Sequence, residues 1–304
     1  MTSKETLQQA IRERLREMNA ILLVHYYQRD EIQDIADYLG DSLALSITAA
    51  TTDADVIVFA GVRFMAESAA ILSPDKTVLL PCLDAGCPLA DTITLPDLMA
   101  MREKYPGVPV VSYVNSSAEI KAASDICCTS SNAATVVSSI PGDGPIIMVP
   151  DKNLARYTAR VTGKNVIPWE GSCPFHDNLT PEEVLALKRE YPGAVFAAHP
   201  ECRSTVLDLA DYIGSTAGIL RFARETDASQ IIVGTEIGIL HSLTKENPEK
   251  TFIPASETMI CETMKYITLG NLRESLEARR YVVSVDEDVR HSAKKALDRM
   301  LSLS

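Results

Sequence analysis

Hydrophobic positions along the chain alternate between helical spacing and short apolar runs. Near the start, Leu7, Ile11, Leu15 and Met18 recur at helical spacing, which predicts an amphipathic helix. The apolar run ILLVHYY follows from Ile21 and has the length of a buried strand. Strands of this kind that alternate with helices are typical of α/β proteins, in which helices cover parallel sheets on both faces.

The pattern occurs three times along the chain. TLPDLMAMREKYPGVPVVSYVN from Thr94 matches TPEEVLALKREYPGAVFAAHPE from Thr180, and each predicts a capped helix, a Tyr-Pro-Gly stop and a strand. Further strands are predicted in each copy, namely DVIVFAG, GPIIMVP and SQIIVGT, then KTVLLPC, KNVIPWE and KTFIPAS. An aspartate lies 12 residues after the first strand's polar end, at Asp37, Asp125 and Asp211. The matched positions recur every 86 to 88 residues, which indicates a triple repeat.

A length of 304 residues by itself suggests two domains, but the triple repeat indicates three. We predict an α/β fold of three homologous three-layer α/β/α domains, with parallel sheets in a pseudo-threefold arrangement around a central active site. The predicted boundaries are 1–92, 93–178 and 179–270. The C-terminal segment 271–304 is expected to pack back on the first domain.

Composition and charge exclude several classes of protein. The formal net charge of −12 argues against a nucleic-acid binder with a global basic face. No apolar run approaches the roughly 20 residues of a membrane helix, and the N-terminus has no secretory signal pattern, so we expect a cytoplasmic protein. The seven cysteines are odd in number and form no C-x-x-C pair, which disfavours a disulfide framework and zinc ribbons.

Polar side chains follow the first strand of each repeat. They are His25 and Tyr27, then Tyr113 and Asn115, then His199 and Glu201. Chemistry in parallel sheets usually takes place at the carboxyl ends of the strands, and an i, i+2 spacing on a strand points both side chains to the same side. If the three strand ends converge, these side chains line one cavity.

A hydroxyl residue lies five residues after each repeated aspartate, at Ser42, Ser130 and Thr216. Each of them precedes or opens a predicted helix, and the simplest interpretation is a helix cap. Three equivalent caps near one cavity also favour anion binding, because helix N-termini present free N–H groups. A substrate with several carboxylates or a phosphate would fit.

Each repeat contributes one cysteine at a matched position, Cys87, Cys173 and Cys261. Two of them precede a proline in loops that also contain glycine, whereas Cys127 and Cys128 lie in an apolar patch and are expected to be structural. Three converging thiolates predict a metal site. A structural zinc would need a fourth ligand, whereas a [4Fe–4S] cluster with three cysteines keeps one iron open as a Lewis acid.

Long motifs at these positions resemble the quinolinate synthase family, the iron–sulfur enzymes of de novo NAD synthesis. They include HYYQRDEIQDIADYLGDSL, GVRFMAE, GCPLAD, YVNSSAEIKAASD, CTSSNA, GSCPFH, HPEC, DYIGST and VGTEIG. The resemblance covers nearly the whole chain and implies three α/β/α domains around a central site. It also implies condensation of iminoaspartate with dihydroxyacetone phosphate to quinolinate, with release of phosphate and water.

Carried over residue by residue, the resemblance implies that Cys87, Cys173 and Cys261 hold one [4Fe–4S] cluster per chain. The implied catalytic residues are Glu201, Tyr27, Tyr113, Asn115 and His199, with Glu201 as the leading general base. The implied substrate-binding residues are His25, Ser42, Tyr113, Val114, Asn115, Ser130, His199, Pro200, Glu201, Ser215 and Thr216. His176 is either a partner of these residues or lies at the edge of the site.

One departure from the family pattern concerns the third cysteine. Some members carry a C-x-x-C-x-x-C run there, but this chain reads CETMKYI, so Cys261 has no cysteine partner for redox regulation of that type. The expected partners are the two small substrates and, transiently, an L-aspartate oxidase or aspartate dehydrogenase. Two alternatives stay open from the sequence: another open-iron hydro-lyase acting on a polycarboxylate, and a non-catalytic, zinc-stabilised metabolite-binding protein.

Overall fold

The first sheet and its helices occupy the N-terminal part of the chain. In the computed structural model, which describes residues 3–303, they run as α1 (Ser3–Glu17), β1 (Ala20–His25), α2 (Asp30–Gln33), β2 (Tyr38–Gly40), α3 (Ser42–Thr51), β3 (Val56–Ala60), α4 (Arg63–Leu72) and β4 (Thr77–Leu79). The strands pair in the order β2-β1-β3-β4, and every pairing is parallel. We call this the first unit.

The second unit repeats the same plan. After a short 3₁₀ turn at Ala90–Thr92 it runs as α5 (Leu95–Lys104), β5 (Val110–Tyr113), α6 (Ala118–Ala122), β6 (Ile126–Cys128), α7 (Ala133–Ser139), β7 (Ile146–Val149), α8 (Lys152–Thr162), β8 (Val166–Pro168) and α9 (Pro174–Asp177). Its strand order, β6-β5-β7-β8, is equivalent to that of the first sheet, and the strands are again parallel.

The third unit and the C-terminal helices complete the chain. They run as α10 (Pro181–Glu190), β9 (Val195–Ala198), α11 (Ser204–Leu207), β10 (Tyr212–Ile213), α12 (Thr216–Glu225), β11 (Gln230–Gly234), α13 (Ile239–Glu246), β12 (Thr251–Pro254), a 3₁₀ turn at Met264–Tyr266, α14 (Leu269–Ala278) and α15 (Glu287–Leu301). The third sheet has the parallel order β10-β9-β11-β12. The predicted α/β fold with three repeated parallel sheets is therefore confirmed.

The repeated aspartates start an edge strand that the sequence pattern did not predict. One carboxylate oxygen of Asp37, Asp125 and Asp211 accepts a backbone N–H from the central strand of its own sheet, at 2.8 Å in all three units. The three-strand prediction was therefore one strand short in each unit. The additional strands β2, β6 and β10 are only two or three residues long, too short to show a periodicity.

The C-terminal helices pack on more than one unit. α14 contacts α1 of the first unit, whereas α15 contacts α4 of the first unit and both α6 and β6 of the second. α15 buries Ala293, Ala296, Leu297 and Met300 in these contacts. It thereby joins the first and second sheets into one large hydrophobic core. Within residues 3–303, none of the helices has both the length and the apolar character needed to cross a membrane.

Candidate active site

One cavity lies where the carboxyl ends of the three first strands, β1, β5 and β9, converge. The central cavity is lined by these residues of the predicted site: His25, Tyr27, Ser42, Cys87, Tyr113, Asn115, Ser130, Cys173, His176, His199, Glu201, Thr216 and Cys261. The structure does not place Val114, Pro200 or Ser215 in its wall. Val114 is buried, and the other two line a separate cleft on the outside.

The polar pairs at the strand ends are held by turns rather than by strand geometry. β1 ends at His25, and β9 ends one residue before His199. In both turns, the backbone N–H two residues further on donates to Nδ1 of the histidine, from Tyr27 at 3.1 Å and from Glu201 at 3.3 Å. Because Nδ1 accepts, the proton of each neutral imidazole lies on Nε2.

Burial keeps both histidines neutral. Desolvation lowers the pKa of His25 to about 3, with further lowering from the nearby Lys265 ammonium and His199 imidazole. The pKa of His199 is also about 3, because burial outweighs the opposing effect of Glu201. Each ring therefore offers one N–H donor at neutral pH without carrying a charge. The Nε2 of His199 contacts Ser130 Oγ at 3.2 Å.

A chain of hydrogen bonds joins residues of all three units across the cavity. Thr216 Oγ1 donates to the Tyr27 hydroxyl at 2.9 Å, and that hydroxyl lies 2.6 Å from Thr235 Oγ1. Thr235 Oγ1 lies 2.9 Å from His176 Nε2, and His176 Nδ1 lies 2.9 Å from Glu201 Oε2. Protons can therefore move between Tyr27 and Glu201 along a continuous path.

Glu201 is a buried carboxylate that stays ionised. Burial alone raises its pKa, but the electrostatic influence of the nearby imidazoles of His199 and His176 lowers it, as do hydrogen bonds from His176 and Tyr113. The pKa of Glu201 is about 2 as a result. The Tyr113 hydroxyl donates to Oε1 at 2.7 Å, and burial together with this carboxylate raises the pKa of Tyr113 well above its usual range. At neutral pH the pair is therefore a carboxylate and a neutral phenol.

The matched hydroxyl residues do not cap their helices, contrary to the simplest interpretation of the sequence. The capping side chain is Asp41 for α3 and Ser215 for α12, one position earlier in each case. Ser42 and Thr216 are the first residues of these helices, and Ser130 lies in the turn before α7. All three line the central cavity near backbone N–H groups of the helix N-termini.

The three matched cysteines occupy equivalent positions in the cavity wall. Each sulfur accepts a backbone N–H from the residue three positions later, namely Ala90, His176 and Met264. These N–H groups belong to short helical turns that begin just after the cysteines. Burial raises the pKa of all three thiols, so a nearby cation is needed to keep them as thiolates at neutral pH. The donor set of three free sulfurs fits a group that binds soft thiolate ligands.

Two buried carboxylates, absent from the sequence prediction, hold the cysteine loops. Asp151 accepts the backbone N–H of Cys173 at 3.1 Å, and Glu236 accepts that of Cys261 at 3.1 Å. Each acid lies two positions after the end of a strand, Asp151 after β7 and Glu236 after β11. In the first unit, strand register places Val62 at the same position. The first cysteine loop is therefore built without such an acid.

Cys173, His176 and Glu201 form a second set of potential metal ligands, with their donor atoms within 4.8 Å of one another. The hydrogen bonds argue against this use of His176. Its Nδ1 faces the Glu201 carboxylate, so it donates a proton there, and its Nε2 faces the Thr235 hydroxyl. Both ring nitrogens are already engaged within the protein. The three matched cysteines stay the predicted metal ligands.

Thiols, a buried carboxylate and neutral phenols around one enclosed cavity, built on parallel strand ends, define an enzyme active site. The chain belongs to the NadA family, described as quinolinate synthetase A protein, whose model matches residues 9–302. The resemblance seen in the sequence motifs is thereby confirmed.

Similar proteins extend over the whole chain. A protein of Geotalea uraniireducens named quinolinate synthase is 55% identical over 300 residues, which cover 99% of this chain and 98% of its own. The protein of Methanosarcina acetivorans named quinolinate synthase 1 is 56% identical over 285 residues, covering 94% of this chain and 93% of its own. The quinolinate synthase of Methanoregula boonei is 50% identical over 303 residues and matches both chains in full.

Proposed function

We propose that this protein condenses iminoaspartate with dihydroxyacetone phosphate to quinolinate, releasing phosphate and water, as a cytoplasmic step of NAD biosynthesis. The observation that carries the proposal is the cavity in which three cysteines, one from each unit, face the Glu201–Tyr113 pair. The family match and the names of the relatives support the same reaction.

Cys87, Cys173 and Cys261 are the residues that would hold a [4Fe–4S] cluster. When bound by three thiolates, the cluster supplies an open iron that acts as a Lewis acid on a leaving hydroxyl. The equivalent N–H donors stabilise a thiolate at each of the three sulfurs and so partly offset the effect of burial, and the thiolate is the form that such a cluster needs.

The anionic groups of the substrates would be held by neutral donors. His25 presents an Nε2–H, and Ser42, Ser130 and Thr216 present hydroxyl groups beside helix N-termini. Asn115 lines the same cavity, and its Oδ1 is buried with no hydrogen-bond partner among residues 3–303. A buried acceptor of this kind is costly unless a ligand donates to it, which supports a role for Asn115 in binding a substrate amine or hydroxyl.

Glu201 would act as the general base for the proton transfers of condensation and dehydration. Its carboxylate is ionised, while the Tyr113 hydroxyl that donates to it can return a proton. The path through His176 and Thr235 connects Glu201 with Tyr27, so a proton removed at one side of the cavity can be delivered at the other. Enclosure of the site would protect the imine from hydrolysis.

The Glu201→Gln variant tests this assignment. Glutamine keeps the size of the side chain but removes the base, so we expect kcat to fall by roughly 100-fold or more while the iron content is unchanged. The exposed Glu182→Gln change is the matched control and should retain activity. Turnover near the wild-type level in Glu201→Gln would show that another group is the base.

The metal is tested by analysis of anaerobically purified protein. About four iron and four acid-labile sulfide per chain, lost in Cys87→Ser, are expected for a three-cysteine cluster. Stoichiometric zinc without sulfide would instead favour the zinc-stabilised binding protein. A wild-type enzyme that holds the cluster but converts neither substrate would overturn the proposed reaction.

A further inference from the structure

A second cleft lies on the outer surface between the second and third units, directly behind the central cavity. It is lined by residues of α7, α8, β10 and α12 and of the turns that follow β6 and β9, including Ser130, Ser131, Tyr157, Pro200, Tyr212 and Arg221. We call it the outer cleft. Ser130 lines both the outer cleft and the central cavity, so the two spaces are adjacent at this residue.

The wall is closed by one short chain of side-chain hydrogen bonds. The exposed Ser131 hydroxyl donates to Asp41 Oδ2 at 2.7 Å and lies 2.8 Å from Ser215 Oγ. Asp41 belongs to the first unit and lines the central cavity, whereas Ser131 and Ser215 belong to the second and third units and line the outer cleft. All three units therefore meet at this bridge, and a rotation of Ser131 breaks both contacts.

The outer cleft also has a local charge that suits an anion. Arg221 is exposed on α12 and forms no hydrogen bond or ion pair with the part of the chain that the structure describes, whereas Arg224 on the same helix pairs with Glu246 at 3.0 Å. In a protein with a net charge of −12, anions need such a local positive site to approach the surface.

We propose that the outer cleft is the entrance through which the phosphate-bearing substrate reaches the central cavity, with the Asp41–Ser131–Ser215 bridge as its gate. This inference rests on the proposed function, because that function supplies the anionic substrate. Arg221 attracts the phosphate dianion to the cleft, and opening of the bridge admits it to the cavity. Arg221 steers the substrate and takes no part in the chemistry.

A bulky side chain in the outer cleft tests the entrance. Ala134 lines the cleft and is half-buried, so the side chain of Ala134→Trp would fill the cleft. Ala10→Trp on α1, at a similarly half-buried position, is the control. Rapid trapping of radiolabelled dihydroxyacetone phosphate by the holoenzyme measures association and dissociation. We expect Ala134→Trp to slow both rates by about tenfold or more with an unchanged equilibrium Kd, since an obstructed path leaves the bound state intact.

The charge is tested separately by Arg221→Glu, against Arg224→Glu as a control on the same helix. Arg221→Glu should lower the association rate by about fivefold at low ionic strength, with the difference disappearing at high salt. If Ala134→Trp and Arg221→Glu both bind the substrate at the rates of their controls, the outer cleft is not the entrance. A wild-type holoenzyme that traps the substrate but forms no quinolinate would refute the proposed reaction alone.

Discussion

The hydroxyl group of Thr235 is the link that joins Tyr27 to His176 and Glu201. It lies 2.6 Å from the Tyr27 hydroxyl and 2.9 Å from His176 Nε2, and it is buried. Of its neighbours in sequence, Gly234 accepts the backbone N–H of His199, and Glu236 accepts that of Cys261 in the third cysteine loop. We therefore expect Thr235 to pass a proton between these two side chains.

The Thr235→Val variant should break the proton path while keeping the shape of the side chain. We expect kcat to fall by about 10- to 100-fold, with little change in KM or in iron content, because general acid–base transfer is impaired and binding is not. Steady-state kinetics of the holoenzyme measures this. Thr235→Ser restores a hydroxyl and should recover most of the rate. Equal activity of the valine and serine variants would contradict the path.

The neutral state of His25 makes the folded protein sensitive to acid. Its pKa is about 3 in the folded chain, against a usual value of 6.5, so below pH 6.5 the unfolded chain binds a proton that the folded chain does not. Stability is therefore lost as pH falls through this window. At pH 5 the loss amounts to about 2 kcal/mol for one such histidine.

Urea unfolding of the wild type and of His25→Gln at pH 7 and pH 5 measures this effect. The variant should lose about 2 kcal/mol less than the wild type between the two pH values. His291→Gln, at an exposed position, is the control and should keep the wild-type dependence on pH. A His25→Gln variant with an unchanged dependence on pH would show that His25 does not cause it.

Individual site residues were predictable from the sequence where a residue of similar chemistry occurs at the same position of all three repeats. The matched cysteines and strand-end pairs stand out in this way, and the structure places them around one cavity. Thr235 carries no such signal, since its matched positions hold Gly61 and Pro150, and Lys265 carries none because its matched positions hold acids, Asp91 and Asp177. Their importance comes from contacts with residues more than 200 positions away, such as Tyr27, and sequence spacing does not reveal such contacts.

At the scale of elements, the helices α5, α10 and α14 begin in the same way. Thr94, Thr180 and Thr268 each form a capping box, in which the threonine side chain and the side chain three residues later satisfy each other's backbone N–H groups. The first two of these helices were predicted, with a cap, from the matching segments that begin at Thr94 and Thr180. The third uses Asn271, a weaker signal.

Removal of one cap tests how much this element contributes. Thr180→Ala should lower the free energy of unfolding by about 1 kcal/mol, whereas Thr180→Ser should be close to neutral. The exposed Thr51→Ala change in α3 is the control, since its hydroxyl bonds a helix carbonyl and should contribute within about 0.5 kcal/mol. Urea denaturation measures all three variants, and a neutral Thr180→Ala would contradict the role of the cap.

At the scale of the whole molecule, a lysine that forms an ion pair inside the third unit also connects that unit with the first. Lys265 lies 3.1 Å from Glu236 Oε1 and also donates to the backbone carbonyl of Tyr27. Gly238 allows this close approach, since a Cβ there would lie 2.6 Å from Lys265 Nζ and 2.9 Å from the backbone of Tyr27. Glu236 thus links the loop of Cys261 to the strand end that carries Tyr27.

Lys265→Met should destabilise the protein strongly, because it leaves the Glu236 carboxylate buried without its cation. We expect a loss of about 3–5 kcal/mol in the free energy of unfolding, most of it recovered in Lys265→Met/Glu236→Gln. Lys245→Met is the control, since its exposed pair with Asp34 joins the same two units and should contribute at most about 1 kcal/mol. Similar losses in the two lysine variants would contradict the buried pair's role.

The distribution of the three cysteines also sets the order of events during synthesis of the protein. A group held jointly by Cys87, Cys173 and Cys261 has its complete set of ligands only after the third unit has been translated, since Cys261 lies in the last part of the 304-residue chain. The first two sheets can form earlier, with two thiols exposed and unligated. If the protein holds the proposed cluster, its insertion would then follow translation, and until that moment the chain would be open to oxidation at these sulfurs.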